Sequence, residues 1–133
     1  MEIHLFAVLQ SKLFSLWLRT VGGKLESRLR ISAEIVYNNF PFPHFSKEAK
    51  DLLAKSGLNI MHAREIHIDS SLADMYVPST MPKNLRSAHD TNDALVLSLF
   101  DLKKDARDAI ILETLFTMYS QLFLADVQSD NLD

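Results

Sequence analysis

The sequence predicts a mainly α-helical chain: a helical bundle with a small β-hairpin-like segment at its N-terminal side. Apolar residues recur at helical spacing over most of the length, whereas one short stretch, 25–37, switches to strand-like alternation. Only three glycines and four prolines punctuate 133 residues, which argues against a many-turned β-sandwich. An apolar content of 47% excludes a disordered chain, and the length suits one compact core or a piece of a larger domain.

The first element is a helix over 4–19. Leu5, Leu9, Leu13 and Leu16 recur on one face, and Phe6, Phe14, Trp17 and Leu18 widen it enough to imply burial on most sides. Gly22-Gly23 is expected to end it. Alternation over 25–31 then sets Glu26, Arg28 and Arg30 on one face and Leu25, Ser27, Leu29 and Ile31 on the other. Ile35-Val36-Tyr37 is a second β-like run, stopped by Asn38-Asn39 and by Pro41 and Pro43, which cannot donate to a ladder. Two short strands do not make a stable sheet alone. Residues 1–43 therefore read as the end of a larger domain and 44–133 as a helical bundle.

In that bundle Ser46 is placed to cap a helix running to about Lys55, with Glu48 near its positive dipole end. Gly57 is expected to break it, and a second helix follows over 60–67. Ser70 or Ser71 caps a short turn ending before Pro78. Pro82 suits the first turn of a helix to about Phe100 with Leu85, Ala88, Leu95, Val96 and Leu99 as its stripe. A last helix, 104–125, is expected to turn Ile110, Ile111, Leu115, Phe116, Met118, Tyr119 and Leu122 inward. The QSDNLD tail should fray, and no internal repeat is present.

The formal net charge of −3 hides an asymmetry. Residues 1–30 carry five Lys/Arg against two acids, and residues 31–133 carry nine against fifteen. Such a chain is no general polyanion binder, but its N-terminal strip suits part of one. The absence of cysteine removes disulfides, thiolate metal sites and thiol nucleophiles, and fits a reducing cytoplasm. The apolar start is too short and broken by Gln10, Ser11 and Lys12 to span a bilayer, and it lacks the features of a signal peptide; no membrane partner is expected.

The alternating Glu26, Arg28 and Arg30 face is the sharpest candidate site. In a DNA major groove an arginine can bond bidentately to guanine O6 and N7 while a glutamate accepts from cytosine N4–H, so the pair could read one C·G step. An exposed strand whose charges meet only solvent fits the same pattern, since exposed ion pairs contribute only ~0–1 kcal/mol. Arg19 and Lys24, beside the Gly-Gly, could approach phosphates, or could simply be favourable cations at a helix C-terminus. Asn39-Phe40-Pro41-Phe42 is superficially similar to the Asn-Pro-Pro-aromatic motif of amino-methyltransferases, but Phe40 replaces the first proline and no glycine-rich cofactor loop precedes it. It reads as a structural turn with two packed aromatics. His62, Glu65 and His67 miss the i, i+4 spacing of a helical zinc pair, and His89 with Asp90 and Asp93 reads as a solvated group. No nucleophile elbow, phosphate loop or catalytic carboxylate pair is present, so no catalytic, cofactor-binding or metal residue is assigned.

Two blocks together resemble one family. SKLFSLWLRTVGGKLESRLRISAEIVYNNFPFP is similar to the end of the target-recognition domain of MmeI-like enzymes, large bifunctional restriction–modification proteins with a DNA adenine-N6 methyltransferase core. AREIHIDSSLADMYVPSTMPKNLRSAHDTND resembles their C-terminal helical domain, where the family runs close to R…DSSLADLYDP-TMP-LR-AH-ND. Ser70-Ser71-Leu72-Ala73-Asp74, Thr80-Met81-Pro82, Leu85-Arg86 and Ala88-His89 match as written, while Met75 and Val77 stand where Leu and Asp are commoner. The resemblance covers nearly the whole chain.

The resemblance implies that the nuclease, the S-adenosylmethionine loop and the Asn-Pro-Pro-Tyr/Phe motif lie upstream of the matched region, so this chain is expected to lack catalysis of its own. It places the family's specificity positions on Glu26, Arg28 and Arg30. It also implies double-stranded DNA and an upstream methyltransferase core as partners, and architectural roles for the SSLADMY and TMP segments. The rival reading is a helical protein-interaction module with no role at DNA.

Overall fold

The apolar repeats fold into six α-helices among the described residues: α1 (Ile3–Leu9), α2 (Lys12–Leu25), α3 (Lys47–Ile66), α4 (Leu72–Met75), α5 (Lys83–Leu99) and α6 (Asp108–Asn131). The computed structural model describes residues 2–25 and 39–131, with side chains for 2–22 and 39–122. No strand occurs among them, and the chain is mainly helical as expected. The hairpin-like stretch lies outside the described residues except for Leu25, which closes α2 instead of opening a strand.

Contacts divide the chain into two units. One comprises Met1–Phe14 and Phe45–Lys104, the other Ser15–His44 and Asp105–Asp133. In the first, α3 is the central helix, and α1 and α5 both pack on it. Leu53, Ile60, Leu85, Val96 and Leu97 are fully buried there, each burial being worth about 1.5–3 kcal/mol. Ile60, Ala63, Met75 and Leu85 form one cluster, sealed by Phe6, Tyr76, Met81 and Ala88.

Ser46 caps α3, its hydroxyl accepting from the Ala49 amide at 3.1 Å, and Ser71 caps α4 by accepting from the Asp74 amide at 3.1 Å. The extended backbone of Pro82 precedes α5. That helix closes in a Schellman turn, with Leu102 N–H donating to Leu97 O at 2.8 Å and Asp101 N–H to Ser98 O at 3.1 Å. Asp101 supplies the left-handed residue, with φ 59°, where glycine is usual.

Glycine does not act here as the expected stop. Gly57 does not interrupt α3, which runs for 20 residues. A Cβ at this position would sit 3.2 Å from the Ile3 carbonyl oxygen and 3.3 Å from Phe6 Cδ1. The missing side chain therefore lets α1 approach the flank of α3 closely. Gly22 and Gly23 likewise continue α2 to Leu25, because a terminating glycine works through positive φ and none among the described residues adopts it.

The single helix expected over 4–19 is two, parted at Gln10–Ser11. Ser11 accepts from the Phe14 amide at 3.2 Å and donates to Val8 O at 2.6 Å, so it caps α2 while closing α1. In the second unit, Trp17, 1% exposed, is the pivot, with ring centroids 5.9 Å from Phe40, 5.3 Å from Phe116 and 6.2 Å from Tyr119. Among the described side chains of α6 the buried positions are Ile111 and Leu115. Ile110, Phe116 and Leu122 are substantially exposed, contrary to the inward stripe expected.

A polar tie crosses the first unit. The fully buried Asn92 of α5 donates through Nδ2 to Ala7 O at 2.8 Å and accepts from Ser56 Oγ at 2.9 Å. It thereby joins α1, α3 and α5, and no buried side-chain polar atom among the described residues is left unpartnered. Asn92→Ala should strand both partner groups and cost about 2–3 kcal/mol in urea unfolding, while a surface change such as Ser98→Ala should cost well under 1 kcal/mol.

Candidate nucleic-acid interface

The helix that leads into the Glu26–Arg30 stretch begins at a tightly specified corner. The Lys12 amide, an orphan donor at the start of α2, is satisfied by Asp93 Oδ1 at 2.9 Å, one residue after the Asn92 tie. Burial raises the Asp93 pKa from its ordinary value, opposed by the Lys12 amide and ammonium. Lys12 Nζ also reaches Lys104 O at 3.4 Å.

Next to that amide lies a hydrogen-bonded chain of four side chains. Arg64 of α3 donates through Nη2 to Gln10 Oε1 at 2.7 Å and through Nε to Tyr76 Oη at 2.9 Å. Its guanidinium lies between the Phe6 and Tyr76 rings, 5.7 and 5.3 Å from their centroids. Tyr76 Oη is 2.6 Å from His89 Nε2, and the His89 imidazole lies close enough to the Gln10 backbone to feel its carbonyl. Arginine has only donors, so it fixes Tyr76 Oη as its acceptor. The tyrosine proton is then free to be donated to His89 Nε2 when that nitrogen is unprotonated. Burial, reinforced by the Arg64 charge, lowers the His89 pKa, while Asp90 and the Gln10 carbonyl act against them. His89 is thus a half-buried neutral partner, not the solvated group expected from sequence.

Of the residues singled out for DNA, Arg19 is exposed on α2, its Nε donating to Ser15 O at a long 3.4 Å. Lys24 lies in the last turn of the same helix, with its side chain outside the described residues. Glu26, Arg28 and Arg30 lie outside the described residues altogether. Phe40-Pro41-Phe42 is a tight turn, with the Phe42 amide donating to Phe40 O at 2.9 Å and the two rings edge-to-face at 4.8 Å. His67 Nε2 pairs with Asn84 Oδ1 at 2.8 Å, and no group of three metal-ligating side chains occurs among the described residues. No helix among them is long and apolar enough to cross a membrane.

Sequence reasoning missed this hydrogen-bonded set. Its members are spread over 10–89, and none has a recognisable spacing to another. The available signal was that Arg64, Tyr76, His89 and Asn92-Asp93 all fall inside the second of the two blocks quoted above.

Comparison with known proteins finds two family matches. The MmeI target recognition domain matches residues 1–44 and the MmeI C-terminal domain matches residues 45–125. DNA methyltransferase A of Bacillus subtilis (strain 168) is 35% identical over 121 residues, which make up 91% of this chain and 14% of that protein. The solved structure of the Type IIL restriction–modification enzyme MmeI in complex with DNA is similar with a TM-score of 0.82 and 34% identity, covering 92% of this chain and 16% of that one. The chain therefore spans only a small share of the length of either relative.

His89 makes stability pH-dependent in a definite direction. Its folded pKa lies below its unfolded value, so the unfolded chain takes up a proton that the folded chain refuses. Stability should be full above the ordinary histidine pKa of about 6.5 and should fall as pH drops below it, toward the lowered folded value. Thermal melts from pH 7.5 to 5.5 should show this decline, and His89→Gln should flatten it.

Proposed function

This chain belongs to the MmeI family, and we propose that it forms the non-catalytic C-terminal portion of a restriction–modification DNA methyltransferase. In this reading residues 1–43 end the target-recognition domain and residues 44–133 form the helical bundle that braces it. The observation that carries the reading is the match of both family domains, in order, over residues 1–125. It is supported by the likeness to an enzyme solved in complex with DNA.

The roles follow from chemistry. Glu26 and Arg28 would project side by side from a strand-like ribbon at base edges, acceptor beside donor, with Arg30 at a base or phosphate. Arg19 and Lys24 would meet the DNA backbone, which fixes register without reading sequence. The parent reaction would move a methyl group from S-adenosylmethionine to adenine N6 in the upstream core, in the cytoplasm. One groove of about 310 Å³ between α3 and α5 is lined by Asn59, His62, Ile66, Asn84, Ser87 and Thr91 and offers no acidic side chain to hold that cofactor's ribose. No step is therefore assigned to this chain through it.

Duplex binding by the chain should weaken linearly in log–log form as salt rises, and Arg19→Ala and Lys24→Ala should each lower the slope by about 1. Salt-independent binding, or none, would count against a backbone-contacting role. In the intact methyltransferase, exchanging Glu26→Lys together with Arg28→Asp should move preference at one position from C·G toward G·C, because donor and acceptor change places. An unchanged methylated site after that exchange would refute the assignment of the base-reading pair.

A further inference from the structure

The hydrogen-bonded chain of Gln10, Arg64, Tyr76 and His89 lies at the corner where α1 gives way to α2, and α2 then runs unbroken to Leu25, the residue before Glu26. We propose that Arg64, Tyr76 and His89 are positioning residues for DNA recognition, clasping Gln10 so that the first turn of the helix feeding the recognition segment is held in one place. This inference rests on the DNA-binding reading above. None of the three need touch DNA.

The geometry supports a clasp as distinct from ordinary packing. Gln10 is held through its side-chain oxygen by Arg64 at 2.7 Å, and the His89 imidazole lies beside its backbone. It is the only residue between α1 and the Ser11 cap, so its placement fixes where α2 starts. The next two residues of α5 to face the corner, Asn92 and Asp93, hold Ala7 O and the Lys12 amide on either side of it. Side chains of α3 and α5 thus bond directly to the bend between Ala7 and Lys12.

With His89 neutral at Nε2 the chain runs in one direction, from Arg64 to the Tyr76 hydroxyl and from that hydroxyl to His89 Nε2. A proton on Nε2 would set a second donor against Tyr76 Oη and leave the tyrosine proton without its acceptor. The clasp should therefore open when His89 is protonated. The charged groups facing His89 are Arg64 from α3 and Asp90 from its own helix, and its titratable partner is Tyr76 at the end of α4. Asp93 and Lys12 pair with each other at the adjoining turn. Glutamine at position 89 offers an acceptor and a donor but does not titrate, so it keeps the pattern without the acid response.

The test pairs amide hydrogen exchange with duplex binding, both on the whole chain. Tyr76→Phe and Arg64→Met should each speed exchange roughly tenfold at the amides of Gln10, Ser11, Lys12 and Phe14, leaving Ile60 and Val96 little changed, and should weaken binding to a labelled duplex at fixed salt. In the wild type, acidification from pH 7.5 to 5.5 should speed exchange at the same corner amides. His89→Gln should match the wild type at pH 7.5 and lose that acid response. Corner exchange unchanged in Tyr76→Phe, acceleration spread equally to Ile60 and Val96, or an acid response surviving in His89→Gln would each overturn the clasp. An opened corner with undiminished duplex binding would overturn its role in recognition. A wild-type chain that binds no duplex would count against the DNA-binding reading, and the exchange measurement would still decide the clasp.

Discussion

The buried amide of Asn92 is the constraint around which the first unit is arranged. A primary amide needs both donor and acceptor partners when it is removed from water, and leaving either unmet costs about 1–3 kcal/mol. Here one partner is the Ala7 carbonyl, an acceptor that the end of α1 leaves without an intrahelical donor, and the other is the Ser56 hydroxyl. Both needs are met only when α1, α3 and α5 share one register. Apolar packing alone would tolerate a small slide of one helix along another, and a directional pair of hydrogen bonds does not.

Gly57 complements that tie. Hydrogen bonds fix the register of α1 on α3, and the missing Cβ fixes how close the two can come, with the Ile3 carbonyl 3.2 Å from where a side chain would begin. One turn of helix away, Ile60 is fully buried and anchors the apolar cluster under Phe6. Close approach, register and apolar contact thus concentrate on the seven residues of α1. A helix that short has little stability of its own and exists because its neighbours hold it.

The same corner connects architecture to the proposed function. Residues that share no spacing in the chain (Gln10, Arg64, Tyr76 and His89) converge because α3, the end of α4 and α5 all border the bend between α1 and α2. The block that resembles the family's C-terminal domain contributes most of these groups. Its role is to hold an upstream bend, and this gives an architectural segment a specific physical task.

Much of the helical content was legible from local rules. Ser46, Ser71 and Pro82 mark helix starts because capping depends only on neighbouring residues, and the stripe of Leu85 and Val96 is buried as its spacing indicates. The family was legible from two long blocks of matching residues. Local rules failed where a residue's meaning depended on something distant. Gly57 reads as a stop until α1 is seen pressing on it, Ser11 is a polar interruption until it caps a helix, and His89 is a solvated histidine until Tyr76 and Arg64 surround it. Sequence by itself therefore determined that this chain is mainly helical, where most of its helices begin and which family it resembles, because propensity, capping and motif identity are properties of short stretches. Only the tertiary structure decided which glycine is a contact, where the first helix bends and which polar groups meet, because those outcomes depend on atoms brought together from positions far apart in the chain, such as Ala7 and Asn92.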